Sequence, residues 1–290
     1  MTPGGVPRSL LYVPAHNEKM VAGAARRGAH ALILDLEDAV PAGAKATARE
    51  RLTESVRTVG VGGALVLVRS NAPWSLAWRD LEAAAAAGAG GLLLPKVDTP
   101  AAVEVLGAYL VELEERFDRP PMAVLLTIES ARGLEAVGAI AAALAGLPAA
   151  RERLTALVPG NEDLSLSLRM EPTPELMAGA LWPLFVAARA HGHALIGSVG
   201  SGADYRDLAA YRRRVELSRA YGFEGTTCIH PAQVAVANEV HRPSGPDLEW
   251  ARTVVAAFEA RGGEAVGVDG QMIDRPVYAR AKRWVDEADA

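Results

Sequence analysis

The sequence predicts a (β/α)8 barrel, on three observations. Eight short apolar runs rich in Val, Ile and Leu recur between Ser9 and Ile229. Longer Ala-rich segments with helical spacing separate them. Most of the runs end in polar residues or in Gly and Pro. A strand that is apolar throughout, with no alternation, is buried on both faces, as parallel strands covered by helices are. Eight such units match a closed barrel.

The strands are expected, in order, at Ser9–Val13, Ala31–Leu36, Ala64–Val68, Gly91–Leu94, Ala123–Ile128, Leu154–Val158, Ala194–Val199 and Thr226–Ile229. The spacing predicts helices over Glu18–Arg27, Lys45–Val59, Trp78–Ala87 and Ala101–Arg116. After the eighth strand, Pro243-Ser244-Gly245-Pro246 is a breaker cluster. A helix over Asp247–Arg261, the segment Val266–Ile273 and a last helix from Pro276 follow. Residues 1–240 are therefore expected to form the catalytic barrel. Residues 241–290 are expected to pack as a helical extension on that barrel or on a neighbouring subunit.

The chain has 290 residues, which suits one barrel domain, and half of them are hydrophobic. A net charge of −5 with interspersed signs points to neither nucleic acid nor an anionic membrane surface. Only Lys19, Lys45, Lys96 and Lys282 of the 30 basic residues are lysines. Arg and Ala are both abundant, so an arginine gains weight only from its position. Cys228 is the single cysteine, which rules out an internal disulfide and a Cys-based metal site. No apolar run reaches the ~20 residues needed to span a bilayer. The opening residues lack the pattern of a secretory signal, so a cytoplasmic protein is expected.

Chemistry in a barrel sits where the strands end. Those ends carry Glu37-Asp38, Arg69-Ser70-Asn71, Pro95-Lys96, Glu129-Ser130, Gly160-Asn161-Glu162-Asp163 and His230-Pro231. Glu129 and Asp163 follow adjacent strands and project to one rim. Two carboxylates with room for water suit Mg2+, which could chelate a 2-oxo or 2-hydroxy acid and act as a Lewis acid. The alternative is that each merely caps a helix. Arg69, ending the third strand, could stabilise an enolate or thioester oxygen. Its alternative is a salt bridge to Glu37 or Asp38. Lys96 ends the fourth strand and could form a Schiff base. His191 and His193 suit a helix-to-strand corner better than a metal site, and Cys228 suits a buried apolar position.

A run of motifs then carries a resemblance. Arg8-Ser-Leu-Leu-Tyr-Val-Pro14, Asp35-Leu-Glu-Asp-Ala-Val40 with Lys45, Val68-Arg-Ser-Asn71 and Leu94-Pro-Lys-Val97 occur in order. Ile128-Glu-Ser-Ala-Arg-Gly133, Gly160-Asn-Glu-Asp-Leu164, Gly222-Phe-Glu-Gly225, Ile229-His-Pro-Ala-Gln233 and Asp269-Gly-Gln-Met-Ile-Asp274 continue it. Together they resemble the citrate-lyase β-subunit-like family over nearly the whole chain. That family includes malyl-CoA and citramalyl-CoA lyases and related thioesterases.

The resemblance implies a TIM barrel with Mg2+ at Glu129 and Asp163, and Arg69 as the enolate-stabilising group. It implies Asp274 as the general acid/base, reaching a neighbouring subunit's site in a homotrimer or hexamer. Backbone N–H groups of Gly160, Asn161 and Glu162 would hold the keto-acid carboxylate. Glu37, Asp38 and Lys96 would support the site from behind, and His230 likewise. Lys19 could meet CoA phosphates or belong to a solvated helix face.

The implied reaction is a reversible Claisen-type cleavage of malyl-CoA, methylmalyl-CoA or citramalyl-CoA to an acyl-CoA and glyoxylate or pyruvate. Two alternatives stay open: a malyl-CoA thioesterase, and a citrate-lyase β-subunit that works with an acyl-carrier protein. The chain departs from the pattern at Gly225-Thr226-Thr227, Ile196-Gly197, Gly160-Asn161 and His16-Asn17. The metal, arginine and C-terminal aspartate positions survive.

Overall fold

The computed structural model describes residues 5–289. Eight parallel strands occupy β1 (Ser9–Pro14), β2 (Ala31–Asp35), β3 (Leu65–Arg69), β4 (Gly91–Leu94), β5 (Ala123–Ile128), β6 (Thr155–Pro159), β7 (Ala194–Leu195) and β8 (Thr226–Cys228). They pair in the order β7-β6-β5-β4-β3-β2-β1-β8. The seam between β7 and β8 is bridged at Ile196–Gly225 in the parallel sense, with the Gly197 N–H donating to the Gly225 carbonyl at 2.8 Å. The sheet thus curls into a (β/α)8 barrel wrapped by helices, as the strand count predicts.

The strands are buried on both faces, and their side chains alternate between two cores. Leu10, Ile33, Leu67, Leu93, Leu125 and Ala156 fill the barrel interior. Leu11, Leu32, Leu34, Val68, Leu126 and Leu157 face outward and pack with the surrounding helices. This parity decides which residues at the strand ends face inward. Tyr12, Asp35, Arg69, Thr127 and Glu129 stand in phase with the interior set, stacked above it toward the C-terminal rim.

The expected strands and helices are present, with shifted limits. The single helix expected over Lys45–Val59 is two, Lys45–Glu50 and Leu52–Gly60, because Arg51 (φ −87, ψ 2) leaves helical geometry between them. The helix expected from Trp78 begins at Trp74, directly after Pro73. β7 was expected to run to Val199. Gly197 sits at φ +136, outside the extended region, and the ladder ends beside it.

Beyond β8, a helix over Gly245–Ala260 opens on a capping box at Ser244 and Asp247. Val266–Val268 (β9) and Gln271–Ile273 (β10) then form an antiparallel hairpin. Its turn is Asp269-Gly270, at φ +47 and +79, the left-handed pair that a two-residue hairpin turn demands. The last helix, Arg275–Asp289, packs on the Gly245–Ala260 helix around Ala251, Val254, Phe258, Ile273 and Ala281. The extension therefore has a small core of its own. No described helix is long and apolar enough to cross a membrane.

Candidate active site

A cavity of about 530 Å³ opens at the C-terminal rim, lined by residues from five or more strand ends, among them Tyr12, Asp35, Arg69, Glu129, Asn161 and Asp163. Arg69 ends β3 pointing inward, and Asp35 ends β2 beside it in register. The guanidinium is held in a fork: Nε donates to Asp35 Oδ1 at 2.7 Å and Nη2 to Oδ2 at 2.6 Å. Nη1 forms an ion pair with Glu37 Oε2 at 3.0 Å and lies 3.5 Å from Asp38. The salt bridges to Glu37 and Asp38 expected as the structural alternative for Arg69 are both present. They do not remove Arg69 from the cavity.

Glu37 is buried, and burial pushes its carboxyl up despite the Lys96 and Arg69 charges beside it. Lys96 Nζ donates to Glu37 Oε1 at 2.7 Å. The Lys96 backbone is left-handed (φ +54), which aims its N–H at Glu129 Oε1, 2.5 Å away. The ammonium is thus engaged in an ion pair, and its side chain remains partly exposed. Lys96 is not among the residues lining the cavity, so a Schiff-base role gains no support.

Glu129 directly follows β5 and stands in phase with its inward-facing residues. Desolvation by burial, and then the Glu37 charge, push its carboxyl up to about 8, with Asp163 adding to the rise. The helix-cap alternative for Glu129 is not realised: Ser130 caps the helix Ala131–Glu135, its Oγ accepting from the Gly133 N–H at 2.9 Å. Gly160 explains how two carboxylates share this space. A Cβ there would lie 2.5 Å from Glu129 Cβ and 2.6 Å from its Oε2, a contact no side chain tolerates.

Asp163 lies in the first turn of the helix Asn161–Leu168, whose N-terminal residue Gly160 supplies no side-chain cap. The residues of that turn line the cavity, and the N–H groups at the start of a helix without a side-chain cap suit an anion. Asn161 Nδ2 donates to the carbonyls of Ser198 (2.7 Å) and Gly200 (2.9 Å), tying the end of β6 to the loop after β7. Glu162 accepts a hydrogen bond from the Ser201 hydroxyl.

Could this site hold a metal? Among the described residues no group of three or more His, Cys, Asp or Glu is placed to bind one. Glu129 and Asp163 form a two-carboxylate set, and Mg2+ uses one or two carboxylates and keeps several waters. The charge balance also fits a cation. Asp35, Glu37, Asp38, Glu129, Glu162 and Asp163 gather around two cations, Arg69 and Lys96, leaving four formal negative charges in surplus. Of these acids only Asp35, Glu37 and Glu129 are buried. Asp35 and Glu37 are paired with Arg69 and Lys96, so the Glu129 carboxyl, with Asp163 nearby, is the one that a bound cation or proton uptake would balance. Thr127 Oγ1 and Asn161 Oδ1 are buried without a protein partner, and both residues line this cavity. Ordered water or a bound acid would satisfy them.

The structure does not bring Asp274 to this cavity. It is exposed, and its Oδ1 accepts from the Val277 N–H at 3.2 Å, capping the last helix. Tyr278, Arg280 and Trp284 of that helix border a different cavity, together with Arg8, His30 and Gly222, which precede β1, β2 and β8. The last helix therefore lies at the N-terminal end of its own barrel, away from the rim. His193 is a buried corner residue bonded to Thr155 (2.8 Å) and the Ala141 carbonyl (2.8 Å), as expected. His230 caps the helix Pro231–Val240 and stacks on Tyr205. Cys228 is buried, its thiol pushed up to about 11 by desolvation. Lys19 is exposed.

In the sequence Asp35 and Tyr12 stand out only as members of motifs, Asp35-Leu-Glu-Asp-Ala-Val40 and Arg8-Ser-Leu-Leu-Tyr-Val-Pro14. Both line the cavity. Tyr12 and Asp35 face inward because they stand two residues after Leu10 and Ile33, a parity that the pairing of the strands fixes.

Known proteins resemble this chain in sequence and fold. The sequence matches the model of the HpcH/HpaI aldolase/citrate lyase family over residues 8–231. It is 35% identical to a (3S)-malyl-CoA thioesterase of Cereibacter sphaeroides, over 98% of this chain and 95% of that protein. It is 31% identical to the mitochondrial citramalyl-CoA lyase of Homo sapiens, over 96% of this chain and 84% of that one. Among solved structures it resembles the CitE protein of Mycobacterium tuberculosis in complex with magnesium, acetoacetate and coenzyme A. The TM-score is 0.76, with 29% identity and 99% of both chains covered.

Proposed function

The chain belongs to the HpcH/HpaI aldolase/citrate lyase family, and from that premise we propose that it is a Mg2+-dependent carbon–carbon lyase acting on a 2-hydroxyacyl-type CoA thioester. One observation carries this reading. Arg69, fixed by Asp35 and Glu37, shares a single cavity with the carboxylate pair Glu129 and Asp163. An oxyanion site and an oxygen-ligand metal site side by side are what a Claisen-type cleavage needs at its two carbonyl ends.

In this proposal Glu129 and Asp163 hold Mg2+, which supplies Lewis-acid polarisation of the keto-acid oxygen. The N–H groups of Asn161, Glu162 and Asp163 bind the keto-acid carboxylate at the helix start. The substrate hydroxyl passes its proton to water in the open cavity, its oxygen forms the keto-acid C=O as the C–C bond breaks, and the electron pair of that bond becomes the acyl-CoA enolate. Arg69 faces the enolate oxygen and balances its charge. The partner subunit's Asp274 returns a proton to the enolate carbon and removes it in the synthetic direction. Glyoxylate or pyruvate leaves as the keto acid.

The malyl-CoA thioesterase relative favours a second reading, in which water attacks the thioester carbon and Arg69 faces the oxygen of the tetrahedral adduct. A panel of CoA thioesters incubated with Mg2+, with products identified by mass, separates the two. An acyl-CoA plus a keto acid supports the lyase, whereas free CoA plus a hydroxy acid supports hydrolysis. Turnover of every thioester unaffected by EDTA would overturn the metal-dependent reading.

A further inference from the structure

The site contains a polar group with no task in the chemistry above. Tyr12 sits in β1, two residues after Leu10, with its side chain in phase with the barrel interior. It lines the cavity with Arg69, Asp35 and Glu129. The Arg69 guanidinium carbon lies 4.9 Å from the centre of its ring. Its hydroxyl is within electrostatic range of Arg69, Asp35, Glu129 and Glu37, the groups that surround the reacting space. No hydrogen bond among the described residues uses this hydroxyl, and it is not one of the buried polar atoms sealed from solvent. A ring largely enclosed by protein, with its hydroxyl left open to the cavity, presents a donor to whatever enters.

The state of Arg69 gives that donor a purpose. Three of its nitrogens already face carboxylates: Nε and Nη2 face Asp35, and Nη1 faces Glu37. An arginine so balanced stabilises a new negative charge less than a bare one would, although its remaining N–H groups stay available. A second, neutral donor beside it would restore what the carboxylates take away, without adding to the charge in the pocket. Tyr12 is suited to that work: burial and the nearby carboxylates push its ionisation far above the usual tyrosine range, so it keeps its proton and acts as a donor, never as a base.

We propose that Tyr12 is a catalytic residue whose hydroxyl, together with Arg69, donates a hydrogen bond to the thioester-derived oxygen as negative charge develops there. The assignment rests on the CoA-thioester reading above, and it holds for either cleavage or hydrolysis, since both place an anion on that oxygen. The plain alternative is that the ring only supports Arg69 from below. Tyr12→Phe separates the two, because it keeps the ring and removes one oxygen atom.

Two measurements form the test. The first is steady-state kinetics of wild type and Tyr12→Phe on the CoA thioester that the wild type turns over. The expected result is a fall in kcat of about 10²-fold, the size typical of losing one oxyanion donor, with KM, Mg2+ affinity and Tm close to wild type. The second is calorimetric binding of two CoA thioethers, one bearing a carboxylate that mimics the enolate and one bearing a neutral ketone. The wild type should prefer the carboxylate, and Tyr12→Phe should lose most of that preference. If the wild type turns over a thioester and Tyr12→Phe matches its kcat within about twofold, the Tyr12 assignment is overturned and the CoA reading stands. If the wild type neither turns over a CoA thioester nor binds either thioether, the CoA reading falls and the Tyr12 assignment with it.

Discussion

Glu129 and Arg69 differ in how a conservative change should act on them. Glu129→Gln and Asp163→Asn keep volume and lose charge. Each is expected to abolish Mg2+ binding by calorimetry and turnover alike, while circular dichroism stays that of the native fold. Near-normal turnover of either variant without added metal would place the metal elsewhere. Arg69→Lys keeps the charge and loses the planar fork that matches Asp35 through two parallel bonds. Its loss should fall on kcat, by about 3 kcal/mol of barrier, and an unchanged kcat would leave Arg69 a structural ion pair only. These three residues can be singled out in the sequence because they stand at strand ends or, for Asp163, in the first turn after one, and a barrel gathers strand ends on one rim. Asp35 and Tyr12 cannot. β2 is buried at every position, so its sequence shows no alternation from which to read which residues face inward. Only the paired neighbours fix that parity.

At the scale of elements, the loop after β6 shows how backbone choice makes room for chemistry. Gly160 permits the Asn161–Leu168 helix to start against Glu129. Gly160→Ala should therefore both strain the rim and push Glu129 aside. We expect a stability loss of about 1–3 kcal/mol, as for other overpacked sites, seen as a lower denaturation midpoint, together with weaker Mg2+ binding. A variant with native stability and metal affinity would mean that the contact relaxes at no cost. Element limits were harder to read than element order. The break at Arg51 and the early end of β7 at Gly197 follow from backbone angles that an apolar pattern does not encode. The β9–β10 hairpin had a readable signal, Asp269-Gly270, flanked by runs too short for the alternation to stand out.

At the scale of the whole molecule, Asp274 and the rim of its own barrel lie at opposite ends. Asp274 caps the last helix, and residues of that helix line a cavity at the N-terminal end of their own barrel. The site of the same chain lies at the other end, beyond the barrel's filled interior. An aspartate so placed either serves only as a helix cap or acts on another copy. The extension is a compact unit. Its hairpin is held by its own small core, and it carries Met272 three-quarters exposed two residues before Asp274. Asp274→Asn keeps a side-chain oxygen able to cap, so a pure cap should tolerate it with little loss of stability or activity. An acid/base group should not: turnover should collapse while Tm holds. Mixing then decides whose site is served. Asp274→Asn and Glu129→Gln, each inactive alone, are combined after subunit exchange, which a mass-tagged chain can verify. Crossing predicts partial recovery of turnover, because some sites then pair an intact barrel with an intact aspartate. Full exchange without recovery would show that Asp274 completes no neighbour's site.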